Sequence, residues 1–169
     1  MAKTATAKKE SSDGTTAVAE HARAYVRQER ASSDPFSWTY SSVDDRNMVA
    51  LIGKVRNGIP FHEFRKIRGL VDFSIDEWAN YLQVSVRTLQ RNEKEQKAFL
   101  PVQSERIMEL TMLHNYGIEV FGDKDRFNRW LAARSVALGG VAPKELLDTN
   151  FGIQMVKDAI TRIEHGVLA

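Results

Sequence analysis

The apolar positions of this chain recur at three- and four-residue intervals, the spacing of one face of a helix. No stretch alternates convincingly as a half-buried strand would, so the expected fold class is all-α. Ser42 opens the first predicted helix, with Val43, Met48, Val49, Leu51, Ile52 and Val55 as its apolar residues, and Asn57-Gly58 stops it. Pro60 suits the first turn of a second helix that runs to Gly69 with Phe61, Phe64 and Ile67 as core residues. Ser74 and Glu77 have capping-box spacing, Phe73 and Trp78 can staple across the cap, and Ile75, Trp78, Ala79 and Leu82 share one face. After Gln83 and Val84, Ser85 caps a further helix whose Val86 and Leu89 turn inward.

Pro101 starts a long helix carrying Val102, Ile107, Leu110, Leu113, Ile118, Val120 and Phe121, and Gly122 ends it. Asp123 caps the next helix, which buries Phe127, Trp130 and Leu131. A loop over 137–142 precedes Pro143 and a short helix. Thr149 caps the last helix, along Gly152, Val156, Ala159, Ile160 and Ile163, and Gly166 stops it. Three parts follow. Residues 1–35, rich in Ala, Thr, Ser and Lys, read as a disordered tail with a short helix near 17–30. Residues 36–99 form a helix-turn-helix DNA-binding domain and residues 100–169 a small helical C-terminal domain.

The stretch 74–94 carries the chemistry. Two short helices joined by a tight turn, the second with a polar cationic face, are the pattern of a helix-turn-helix DNA reader. Arg87, Gln90, Arg91 and Lys94 project away from the core, with Thr88 beside them and Ser85 at the cap. Arg can take guanine O6 and N7 with two hydrogen bonds, and Gln can do the same with adenine N6 and N7. Gln83 occupies a turn position where many such motifs hold glycine, because positive φ is needed there. Lys54, Arg56, Arg65, Lys66 and Arg68 cluster against a single Glu63 and offer phosphate contacts. The competing reading is a plain helical hairpin with a solvated cationic face.

Other chemistries find little support. The chain has no cysteine, so disulfides, thiolate catalysis and Cys-based zinc sites are excluded. Its four histidines, His21, His62, His114 and His165, lack ligand-like spacing and read as surface or boundary residues. No Gly-rich phosphate loop, nucleophile–base pair or supported carboxylate pair marks an enzyme, and no metal or other cofactor is expected. No apolar run approaches the roughly 20 residues of a membrane span, and the N-terminus lacks the apolar core of a secretory signal, so a cytoplasmic protein is expected. In the last helix, Phe151, Ile153 and Met155 lie beside the main apolar row, which suggests either a partner or additional core. Arg162 follows Asp158 by four residues, the spacing of a helical ion pair.

Several short motifs, in order and spacing, resemble the Xre/MbcA/ParS type of antitoxin from toxin–antitoxin pairs. They are Arg87-Thr88-Leu89-Gln90-Arg91, Glu119-Val120-Phe121-Gly122-Asp123, Ala137-Leu138-Gly139-Gly140, Leu146-Leu147-Asp148-Thr149, then Gly152, Val156 and Arg162-Ile163-Glu164-His165-Gly166. The resemblance covers roughly residues 54–169. It departs at Gln83 and at Asn92, where the family often continues with a basic residue, and base readout is expected to differ there. The resemblance implies a helix-turn-helix that represses its own operon and a C-terminal domain that occludes the active site of a cognate toxin. The implied toxin is commonly of the RES class, ADP-ribosyltransferase-like and acting on NAD. By the same analogy Leu138, Gly139, Gly140, Leu147, Asp148, Thr149, Arg162, Glu164 and Gly166 engage the toxin. Reading helices usually act in pairs across a two-fold operator, so a homodimer is expected. The alternatives are a stand-alone dimeric transcriptional regulator with a ligand-sensing or dimerising C-terminal domain, and an adaptor that binds no DNA.

Overall fold

A long helix, Pro101–Phe121, organises the structure, a computed structural model that describes residues 34–167. In chain order the helices are α1 (Asp45–Asn57), α2 (Phe61–Leu70), α3 (Ile75–Tyr81), α4 (Val86–Glu95), α5 (Pro101–Phe121), α6 (Lys124–Ala132) and α7 (Asn150–Glu164). Two short 3-10 turns, Val136–Leu138 and Pro143–Leu146, link α6 to α7. Among the described residues there is no strand, only an isolated bridge between Ser135 and Val141. The tail and the short helix expected before residue 34 lie outside the described residues.

Helix α5 is buried on more than one side because α1, α6 and α7 all pack against it. Its Ile107, Met108, Leu110 and Leu113 join Phe61, Phe64, Ile67, Trp78 and Leu89 from the preceding helices and Ile153, Val156 and Ile160 from α7 in one core. Phe64 sits among three aromatic rings, at centroid distances of 5.5 Å from Phe61, 5.0 Å from Trp78 and 4.8 Å from Phe99. Ser104 closes the junction before α5. Its buried hydroxyl accepts the Ile59 N–H at 2.8 Å and donates to the Phe99 carbonyl. A buried amide left without a partner is costly, so this serine is part of the fold's support.

Three expectations change. Ser42 does not open α1; its hydroxyl accepts the Thr39 N–H in a preceding turn. Asp44 caps the helix instead, accepting the Asn47 N–H at 2.7 Å. His114 is not a surface histidine. It lies inside the core on α5, edge-on to Phe73 and Phe127, because its position falls on the α5 face covered by α6 and the α2–α3 connection. Neither ring nitrogen meets a protein partner, and burial, with Lys124 next, pushes its pKa down to about 4 against the pull of Asp72. The third is Asn92, which is buried on the inner side of α4 and so lies away from its exposed face.

Candidate nucleic-acid interface and partner surface

The turn between α3 and α4 is held by local bonds. The capping box forms as the sequence implies: Ser74 Oγ accepts the Glu77 N–H, and Glu77 Oε2 accepts the Ser74 N–H at 2.8 Å. Phe73 and Trp78 staple across it at 5.5 Å between ring centroids. Gln83 adopts φ +54°, the left-handed conformation expected at this corner. Its own amide group offsets the strain by donating to the Asn80 carbonyl at 2.9 Å.

Helix α4 is then aimed outward. Leu89 is fully buried beneath it, while Arg87, Gln90, Arg91 and Lys94 are exposed. These four, with Ser85 and Thr88, line one shallow concavity of about 620 Å³. All six expected DNA-reading residues therefore share a surface. Ser85 has a second duty, since its hydroxyl accepts the Thr88 N–H at 3.0 Å and caps α4. The neighbouring cationic cluster is partly occupied. Lys54 pairs with Glu63 at 2.6 Å and lies over the Phe36 ring, and Arg65 pairs with Glu93 at 3.6 Å. Lys66 and Arg68 are in no ion pair among the described residues.

The nine expected partner-binding residues divide by role. Leu138 and Leu147 point into the core. Gly139 and Gly140 take φ of +77° and +81°, so this turn needs residues without a side chain for conformational reasons; a Cβ at either would meet open space. Thr149 caps α7 by accepting the Gly152 N–H at 3.0 Å, and Gly166 ends the helix at φ +69°. Asp148 is half-buried. Glu164 is tied back to α5, where its carboxylate accepts the Tyr116 hydroxyl at 2.6 Å. Arg162 is exposed, and the ion pair expected with Asp158 is not among the pairs of the described residues.

One feature escaped the sequence reading, and a second was left open there between a partner surface and additional core. Tyr81 is buried, and its hydroxyl donates to the Lys144 carbonyl at 3.0 Å; the Lys144 ammonium meets Glu77 Oε1 at 3.1 Å. One carboxylate thus both caps α3 and holds the Pro143 turn. The second feature is the α7 surface. Ile153 belongs to the core, whereas Phe151 is 88% exposed and Met155 46%. The four-residue step from Phe151 to Met155 was a visible signal of a shared face.

Two family models match the chain in tandem. Residues 50–110 match the antitoxin Xre-like helix-turn-helix domain. Residues 117–166 match the antitoxin Xre/MbcA/ParS C-terminal toxin-binding domain. An antitoxin Xre from Yersinia enterocolitica is 31% identical over 105 residues, covering 57% of this chain and 71% of the relative. The chain belongs to the Xre family of antitoxins. An antitoxin Xre from Photorhabdus laumondii is 25% identical to it over 148 residues, 87% of this antitoxin and 99% of the relative. A Prs ADP-ribosylating antitoxin from Sphingobium sp. is 25% identical over 144 residues, 80% and 89% of the two chains. Neither matched domain is catalytic. No helix among the described residues is long and apolar enough to cross a membrane.

Proposed function

We propose that this antitoxin neutralises a cognate toxin through its C-terminal part, roughly residues 100–169, and represses its own operon through α4. The toxin is read as a RES-type enzyme, ADP-ribosyltransferase-like and acting on NAD, whose active site the antitoxin occludes. The family resemblance supports this class, and so does the name of the Sphingobium relative, which ties that protein to ADP-ribosylation of Prs. On the DNA side, Arg87, Gln90 and Arg91 read base edges in the major groove, while Thr88, Lys94 and the Ser85 end of α4 meet the backbone. Two copies act across a two-fold operator as a homodimer. The toxin contacts fall on Arg162, Asp148 and the Gly139-Gly140 turn, with Leu138, Leu147, Thr149, Glu164 and Gly166 shaping that surface from within.

The gathering of all six reading residues on the outer face of α4 carries the DNA half of this proposal. Fluorescence anisotropy with DNA from the antitoxin's own promoter tests it. Arg87→Ala and Arg91→Ala should each weaken specific binding by roughly tenfold or more, since a good bidentate pair is worth about 1–3 kcal/mol. Unchanged affinity in both variants would remove α4 as the reader.

A further inference from the structure

Helix α7 has two faces of different character. Gly152, Ile153, Val156, Ala159 and Ile160 are all buried, so its inner side is full. Phe151, Met155, Asp158 and Arg162 recur at steps of four, three and four residues on the outer side. This strip is apolar at its start and charged towards its end. A phenylalanine 88% exposed on a helix whose core side is already packed contributes nothing to this chain's own core.

The first turn of α7 is also held firmly. Thr149 Oγ1 caps it, the Arg106 guanidinium donates to Asn150 Oδ1, and Gly152 lies so close to the Leu146 carbonyl that only a residue without a Cβ fits. Phe151 is therefore presented on a fixed backbone, which lowers the ordering cost of binding. Large aromatic side chains in such positions dominate interface energetics.

We infer that Phe151, supported by Met155, is the apolar anchor of the toxin interface, with Arg162 as its polar end. The partner surface that fits is an apolar pocket with a carboxylate roughly 16 Å further along the helix, eleven residues at about 1.5 Å each. This rests on the proposed toxin-binding role of the C-terminal part. The occupant follows from position. A second apolar surface, the groove of about 470 Å³ lined by Ile52, Val55 and Val102 on α1 and α5 and edged by Gln154 of α7, lies mostly in the stretch matched to the helix-turn-helix domain. The Phe151 strip lies wholly within the stretch matched to the toxin-binding domain.

The experiment is capture of the toxin encoded in the same operon by full-length antitoxin, wild type and variants, with promoter binding and thermal melting measured in parallel. Phe151→Ala should weaken capture about thirtyfold or more and Phe151→Asp should abolish it, while melting and promoter binding stay at wild-type values. Val102→Asp should leave capture unchanged. Wild-type capture by Phe151→Asp, or loss of capture in Val102→Asp alone, would overturn the anchor while leaving the toxin-binding role intact. If the wild-type antitoxin itself captures no toxin, that role and the anchor fall together.

Discussion

Glycine-to-alanine substitution in two helices should change stability in opposite directions. Glycine inside a helix costs about 1 kcal/mol relative to alanine, so local propensity alone says that both Gly53→Ala in α1 and Gly152→Ala in α7 stabilise. The surroundings differ. A Cβ at Gly53 meets nothing within 4 Å. A Cβ at Gly152 would overlap the Leu146 carbonyl oxygen and lie 2.7 Å from its carbon, a backbone group that cannot rotate away. Relief requires α7 to move off the Pro143–Leu146 turn, straining the Thr149 cap and the seating of Ile153 and Val156. Overpacking a core costs about 1–3 kcal/mol, and a backbone clash belongs at the upper end. After the gain in propensity, Gly152→Ala should lose about 2 kcal/mol, whereas Gly53→Ala should gain up to about 1 kcal/mol. At this chain length each kcal/mol moves Tm by about 2–4 °C, so the pair should separate by roughly 6–12 °C in thermal melts followed by circular dichroism. Equal or raised stability of Gly152→Ala would refute the close α7–Leu146 approach.

Ser104→Ala should cost about 1–3 kcal/mol in urea unfolding, because it strands the buried Ile59 N–H; wild-type stability would show that another group takes that bond. His114 gives a pH dependence with a definite sign. Its folded pKa lies below the ordinary 6.5, so the unfolded chain takes up a proton that the folded chain refuses, and stability falls as pH drops from about 6.5 towards 4. That one proton contributes a slope approaching about 1.4 kcal/mol per pH unit, which His114→Leu should remove. Parallel stability–pH curves for the two proteins would show that folding does not lower the pKa of His114.

The helices were legible because their signals are local: capping residues, glycine stops and a 3.6-residue period lie within a few positions of one another. The corner at Gln83 was legible for the same reason, since turn geometry demands positive φ whatever the residue. What escaped depends on neighbours distant in sequence. His114 looks like any scattered histidine until Phe73 and Phe127 close around it. Asn92 was expected to alter base readout because the family often has a basic residue there, yet the helical turn carries it inward. The bond from Tyr81 to Lys144 spans 63 residues and no periodicity announces it. On α7, Phe151, Ile153 and Met155 were indistinguishable as core or contact by composition, and only packing against α5 separated the inner residue from the outer two.

The most direct measurement of separate DNA-reading and toxin-binding surfaces uses the Arg87→Ala/Arg91→Ala double variant. Promoter binding in vitro and protection of cells co-expressing the toxin are measured on the same protein. The expected result is lost promoter binding with protection at the wild-type level; loss of both together would contradict two separable surfaces.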